Sequence, residues 1–187
     1  TRYCPYTVAG DARGAWKAPD LPEARRLVAA SRTRGQTVVV WTTSYYHGEG
    51  VYLVALLRQL GYRARLHYVP DLARYFAAVQ RATNAQAAFG GWFGAPHAVD
   101  ILGLFRCGVN YGHFCDERID GQLAQLANAQ PSAGSSTLAA RIDRELVDRA
   151  AVVPLYTPRL PDLTSPRVGN YQANPVVVPL VDQMWVQ

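Results

Sequence analysis

Apolar positions along the first ninety residues change period in a regular order. Ala24, Leu27, Val28 and Ala30 fall largely along one side of a helix spanning Leu21–Ser31. Asp20 caps it, and Glu23 three residues on completes a capping-box-like pair. Gly35 closes this unit, and the run Thr37-Val38-Val39-Val40-Trp41-Thr42 predicts a buried strand. After Ser44-Tyr45-Tyr46-His47-Gly48, a second helix is expected from Glu49 to Leu60, stopping at Gly61. The alternation over Tyr62–Val69 predicts a half-exposed strand, Asp71 caps a third helix over Leu72–Ala82, and Ala85–Trp92 predicts a third strand. Strands alternating with helices in this way indicate an α/β layer with a mixed, mostly parallel sheet flanked by helices.

From Ala98 the period becomes helical, over Ala98–Arg106, Glu117–Asn128 and Ser135–Ala150, followed by a strand at Val152–Tyr156. Beyond residue 157, Pro and Gly interrupt short apolar runs. That extended tail lacks the periodicity of a unit that packs by itself, and it is expected to lie against another domain. Residues 1–19 are irregular and rich in Gly, Pro and Tyr. With no initiator Met and no secretory leader pattern, they read as a segment entering from a part upstream.

The bulk numbers narrow the classes. A chain of 187 residues that is 49% hydrophobic and 18% charged is globular, and no apolar run reaches the roughly 18 residues a membrane helix needs. The net charge of +5 is nearly all arginine, Lys17 being the single lysine. The arginines (Arg25, Arg58, Arg74, Arg118, Arg141 and Arg159 among them) are scattered along the sequence. A nucleic-acid patch would cluster them with interleaved aromatics, so no nucleic-acid partner is expected.

Catalytic signatures are lacking. His47, His67, His97 and His113 stand apart from one another, without the His-x-x-x-His spacing of a helical metal site. No Gly-x-Ser-x-Gly elbow or Walker A loop occurs, and Gly90-Gly91-Trp92 is not a dinucleotide-binding loop. Asp116, Glu117 and Asp120 cluster where a helix begins, where acids favour the helix dipole. The chain is therefore expected to be no enzyme and to hold neither metal nor cofactor. Cys107 and Cys115 flank Gly108-Val109-Asn110-Tyr111-Gly112, a loop flexible enough for a local disulfide in an oxidising compartment; two unpaired thiols are the alternative. Cys4 is left over. Aromatic residues remain as candidates. Tyr45 and Tyr46 follow the end of one predicted strand, and Trp92 and Phe93 end another, with His97 shortly beyond. Open α/β sheets bind ligands at the C-terminal edge of their strands, so these five residues are the candidate ligand wall. Trp41 and Trp92 are equally readable as core.

The order of these features resembles the C-terminal part of family 5 extracellular solute-binding proteins, which include peptide-, dipeptide- and nickel-binding members. Pro19-Asp20-Leu21-Pro22-Glu23-Ala24-Arg25-Arg26-Leu27 is similar to a family helix, and Leu57-Arg58-Gln59-Leu60-Gly61-Tyr62 to a family helix end. Gly91-Trp92 is similar to the "G-W" closing the family's third strand, and Asn110-Tyr111 with Phe114-Cys115-Asp116-Glu117-Arg118-Ile119-Asp120 to a later segment. Val153-Pro154-Leu155-Tyr156 and Pro166-Arg167-Val168-Gly169-Asn170-Tyr171 are similar to its closing elements. The cysteine-flanked forms resemble an actinobacterial branch, in which the first cysteine pairs with one upstream.

The resemblance implies a periplasmic-binding-protein-like (type II) lobe. It places residues 20–156 in the second lobe and sends 157–187 back to a first lobe outside this chain. It further implies a small solute, by family custom a peptide, held between two lobes, with an ABC transporter permease as partner. The location implied is extracellular, on a lipoprotein anchor. A ligand-sensing module fused to a DNA-binding or signalling domain is the other function such a lobe pair serves. One departure stands out. Peptide-binding members carry an acid three positions after that Trp, where this sequence has Ala95; Asp100, a little further on, is a candidate substitute.

Overall fold

The computed structural model describes residues 20–92, 97–155, 162–172 and 179–187. The leading segment with Cys4, and the loop residues Phe93 and Ala95, lie outside the described residues. The chain forms two compact units. One runs to Gly91 and adds Cys107–Cys115; the other takes Trp92–Arg106 and the chain from Asp116 onward.

The first unit is the α/β layer. Its strands are β1 (Thr37–Thr42), β2 (Arg63–Tyr68) and β3 (Ala87–Ala88); its helices are α1 (Leu21–Ser31), α2 (His47–Gln59) and α3 (Leu72–Arg81). The sheet order is β2-β1-β3, all parallel, with Val38 beside Ala64, Val40 beside Leu66 and Thr42 beside Tyr68. β1 is central and its last four residues are buried, as a β-branched run covered on both faces should be. One face packs Val39 and Trp41 against Tyr75 and Val79 of α3; the other packs Val40 and Ala64 against Val54 of α2. At Gly50 the first turn of α2 lies so close to the sheet that a Cβ would sit 2.9 Å from Leu66 Cδ1 and 3.0 Å from Thr42 Cβ. Only glycine permits that approach.

β3 is much shorter than the Ala85–Trp92 stretch expected. Pairing covers two residues, Val40 with Ala87 and Trp41 with Ala88, after which Gly90 and Gly91 leave the ladder. Glycine has no side chain to pack and loses the most freedom on being straightened, so the edge strand ends where they begin.

In the second unit, α4 (Ala98–Leu102), α5 (Glu117–Ala127) and α6 (Ala133–Asp148) pack on one another. Ile119, Leu123 and Leu126 of α5, and Leu138, Ile142 and Leu146 of α6, recur at helical spacing and are buried. The helix expected over Ala98–Arg106 is α4 plus a tighter turn at Gly103–Phe105. α6 begins earlier than expected because Ser132 caps it: Ser135 N donates to Ser132 Oγ at 3.1 Å and Ser132 N to Ser135 Oγ at 2.9 Å. Asp116 caps α5, accepting from Ile119 N at 3.0 Å. That hydrogen bond first, and Arg149 and Arg118 after it, hold its carboxyl below the ordinary range. The acid cluster is thus built into the helix start.

One expectation about the end of the chain is corrected. Val152–Leu155 forms no strand; Val153 and Leu155 are exposed, and Pro154 brings no N–H to a ladder. Within the tail, β4 (Val168–Gly169) runs antiparallel to β5 (Trp185–Val186), with the Trp185 ring lying over Gly169.

Candidate ligand-binding site

The C-terminal edge of the three-stranded sheet is assembled by hydroxyl groups. Thr42 Oγ1 donates to Tyr46 O at 2.7 Å, Thr43 Oγ1 to Pro70 O at 3.2 Å, and Ser44 Oγ to Pro70 O at 3.0 Å. Thr42 and Thr43 are fully buried and Ser44 is exposed; together these bonds hold the turn Ser44–Tyr46 against the end of β2. On the other side, Tyr75 of α3 is completely buried, and its single hydroxyl proton is shared between Phe89 O at 2.7 Å and Trp41 O at 3.1 Å. One side chain thus ties the ends of β1 and β3 together just beyond the short ladder. Burial pushes its phenol up to about 12, so the proton these bonds need stays in place.

This frame presents a row of rings. Tyr46 stacks on Phe89 with centroids 6.0 Å apart, and His47 meets the edge of Tyr68 at 5.0 Å. Tyr45 is 73% exposed and Tyr68 46%. Partial burial first, then the Glu49 carboxylate, raises the Tyr46 phenol above its ordinary value and keeps it a hydrogen-bond donor. Gly91 passes so close to Tyr46 that a Cβ there would lie 2.5 Å from its hydroxyl oxygen. We expect Gly91→Ala to leave the melting temperature within a few degrees while moving the Tyr46 ring off Phe89, visible as a changed near-ultraviolet circular dichroism band. An unchanged band means the ring pair does not depend on that glycine.

Of the residues expected at the site, the structure brings Tyr45 and Tyr46 to this edge, with His47, Tyr68 and Phe89, which the sequence reading left out. Tyr68 closes an alternating strand and Phe89 immediately precedes Gly90-Gly91; register with β1 was the signal that could have found them. Trp41 goes into the core beside His67, centroids 3.9 Å apart, and its buried indole N–H finds no acceptor among the described residues. Trp92 is 47% exposed and begins the second unit. In that unit His97 is exposed, and its N–H donates to Asp100 Oδ2 at 3.1 Å. Asp100, the candidate substitute for a ligand-pairing acid, sits in the first turn of α4 and accepts from the backbone N–H of the N-cap His97. Asp71 likewise caps α3, accepting from Arg74 N at 2.8 Å.

Chemically, the edge offers apolar ring faces rimmed by phenol and imidazole groups. Among the described residues no three His, Cys, Asp or Glu side chains gather into a metal site. Such a surface suits non-covalent capture of a small molecule. Cys107 and Cys115 form a disulfide in the same unit, closing the loop expected from their spacing.

No family model matches the chain, and no curated protein matches it. Solved structures do. The chain is similar to the clavulanic acid biosynthesis oligopeptide-binding protein 2 (18% identity, 89% of this chain and 34% of that one, TM-score 0.77). It is also similar to OppA of Haemophilus influenzae, solved with the peptide RPPGFSPFR (14% identity, 91% and 36%, TM-score 0.71). A third is AgaA from A. tumefaciens R10, solved with agropinic acid (19% identity, 76% and 31%, TM-score 0.62). The chain spans about a third of the length of these proteins. They are binding proteins rather than enzymes, and this chain has the α/β fold of part of them.

Proposed function

We propose that this chain is the second lobe of a solute-binding protein that delivers a small solute to an ABC transporter permease. In this reading the aromatic edge Tyr45, Tyr46, His47, Tyr68 and Phe89 is one wall of a cleft, and Trp92, Phe93 and His97 are ligand contacts in their own right. The observation that carries it is the row of stacked and exposed rings at the strands' C-terminal ends, held by buried hydroxyls and involved in no chemistry of its own. Fold likeness to binding proteins supports the same role. A peptide is the default ligand, but the site offers no acid at Ala95 to pair a peptide ammonium, and burying that charge unpaired is costly. The agropinic-acid protein shows that ligands on this fold extend beyond peptides.

The remaining parts of the reading concern what lies outside the lobe. Residues 157–187 return to a first lobe; Leu163 is 98% exposed, and Val181 (69%) and Val186 (68%) are exposed too, which suits a segment awaiting a partner surface. A cavity of about 320 Å³ beside them is lined by Leu163, Val168, Tyr171, Val181 and Met184 among others. The first nineteen residues lead in from that lobe, and the whole protein is extracellular and lipid-anchored. No catalysis is expected.

Full-length protein carrying this lobe should gain thermal stability with a member of a panel of peptides and small polar solutes, and turn none of them over. Tyr46→Ala and Trp92→Ala should each weaken that ligand at least about tenfold, the scale of losing one buried aromatic contact. Unchanged affinity in both variants would sink the assignment of this wall.

A further inference from the structure

The strands of the first unit begin at the opposite edge of its sheet, and there the fold gathers arginines that are far apart in sequence. α1 and α2 end in the loops Arg32-Thr33-Arg34-Gly35-Gln36 and Leu60-Gly61-Tyr62, and these loops are laced together. Gly35 N donates to Gly61 O at 2.9 Å, Arg63 N to Gln36 O at 2.9 Å, and Arg63 Nε to Gly35 O at 2.7 Å. The Thr33 and Tyr62 hydroxyls bond at 2.7 Å. The loop after α3 is tied to β1 itself through Gln86, whose Oε1 accepts from Val39 N at 2.8 Å. Arg32, Arg34, Arg63 and Arg81 therefore share one edge, and all four are exposed.

No carboxylate lies in any of these three loops. The unit's four, Asp20, Glu23, Glu49 and Asp71, sit at the starts of its helices, roughly 15 Å away at 1.5 Å per residue. Glu23 is moreover held by Arg26 at 2.6 Å. Cations at helix C-termini complement the helix dipole, which accounts for Arg81 and in part for Arg32. It does not account for Arg34 and Arg63, which lie in a loop and at a strand start. Across its described residues this unit carries nine arginines against its four carboxylates, and four of the nine stand at this edge with no carboxylate in its loops.

We infer that this edge is a docking surface for an anionic phospholipid membrane, with guanidinium groups on headgroup phosphates. Guanidinium matches phosphate oxygens two at a time. Lipid headgroups move laterally, so they satisfy cations spread over three loops without a groove of fixed spacing. A nucleic acid would need a groove or stacking rings, and the one aromatic here, Tyr62, is tied to Thr33. The loops hold no exposed large apolar residue to insert, so attachment is electrostatic and salt-labile.

The test is co-sedimentation of the purified protein with vesicles of phosphatidylcholine alone or mixed equally with phosphatidylglycerol, at low and high salt. Binding is expected only to the mixed vesicles and only at low salt. Arg32→Gln/Arg34→Gln should weaken it about thirty-fold, at the usual worth of a basic residue near an anionic surface. Arg141→Gln/Arg144→Gln on α6, with the same charge change, should leave it within about twofold. If the Arg32 change disturbs the cap of α1, Arg34→Gln/Arg81→Gln applies the same test. No binding, equal losses in the two pairs, or tighter binding to a DNA duplex than to mixed vesicles each overturns the proposal. None of these outcomes depends on the solute-binding reading.

Discussion

Tyr75→Ala should destabilise the protein by about 4 kcal/mol, and Tyr75→Phe by about 1–3 kcal/mol, measured as loss of urea unfolding free energy. The two substitutions separate two roles of one side chain. The ring fills the core with Val39, Trp41 and Val79, and its removal leaves a cavity. The hydroxyl serves the carbonyls of Phe89 and Trp41 at the ends of two strands, and its loss leaves Phe89 O without this donor. β3 has only two paired residues, so this clamp is a large part of what holds Phe89 beneath Tyr46. Tyr75→Phe should therefore also weaken the ligand that Tyr46 contacts. The pH dependence carries the same signature. The folded-state phenol titrates at about 12 against an ordinary value of 10, because burial disfavours the charged form. Its stabilisation is thus fully present below pH 10 and is lost as pH rises from 10 to 12. Wild-type protein should lose more stability across that window than Tyr75→Phe does. Equal losses would show that the hydroxyl contributes nothing.

Opening the disulfide should cost about 2–3 kcal/mol. Cys107 and Cys115 close a loop eight residues apart in sequence, which in the chain-entropy account restricts the unfolded chain by that amount. The loop is also structured from within. Asn110, buried, donates through Nδ2 to Phe114 O at 2.6 Å and accepts from Phe114 N at 2.8 Å, so its side chain pairs with the backbone on both counts. From the same loop Tyr111 packs on Phe76 of α3, centroids 5.1 Å apart. Cys107→Ser/Cys115→Ser should lower the melting temperature by roughly 5–10 °C for a chain of this size, and a reducing agent should do the same to the wild type but nothing to the variant. A wild type insensitive to reduction would mean that Asn110 and Tyr111 hold the loop without the covalent tie.

Much of the architecture was legible in the residues themselves. Asp20, Asp71 and Asp116 were readable as helix starts because an N-cap acts over three residues, and each accepts the backbone N–H three positions on. The apolar run at Thr37–Thr42 sits where a doubly covered strand should. Tyr45 and Tyr46 were placed at the strand edge by order along the chain alone.

What failed to show was decided at a distance. The length of β3 depends on how far β1 offers it partners, and Val152–Leu155, as apolar as a strand, found none. Trp41 became core while Tyr68 and Phe89 became edge because register with a neighbouring strand assigns the face, and register is a property of the sheet. The arginines show the difference most plainly. In the sequence they are scattered; parallel crossovers return every helix end to the same edge, and that return brings Arg32, Arg34, Arg63 and Arg81 together. Local capping and hydrophobic period act over three or four residues, so the sequence alone determined most of the helices, the central strand and the α/β class. Pairing, register and charge clustering act between segments tens of residues apart, and only the tertiary structure decided them.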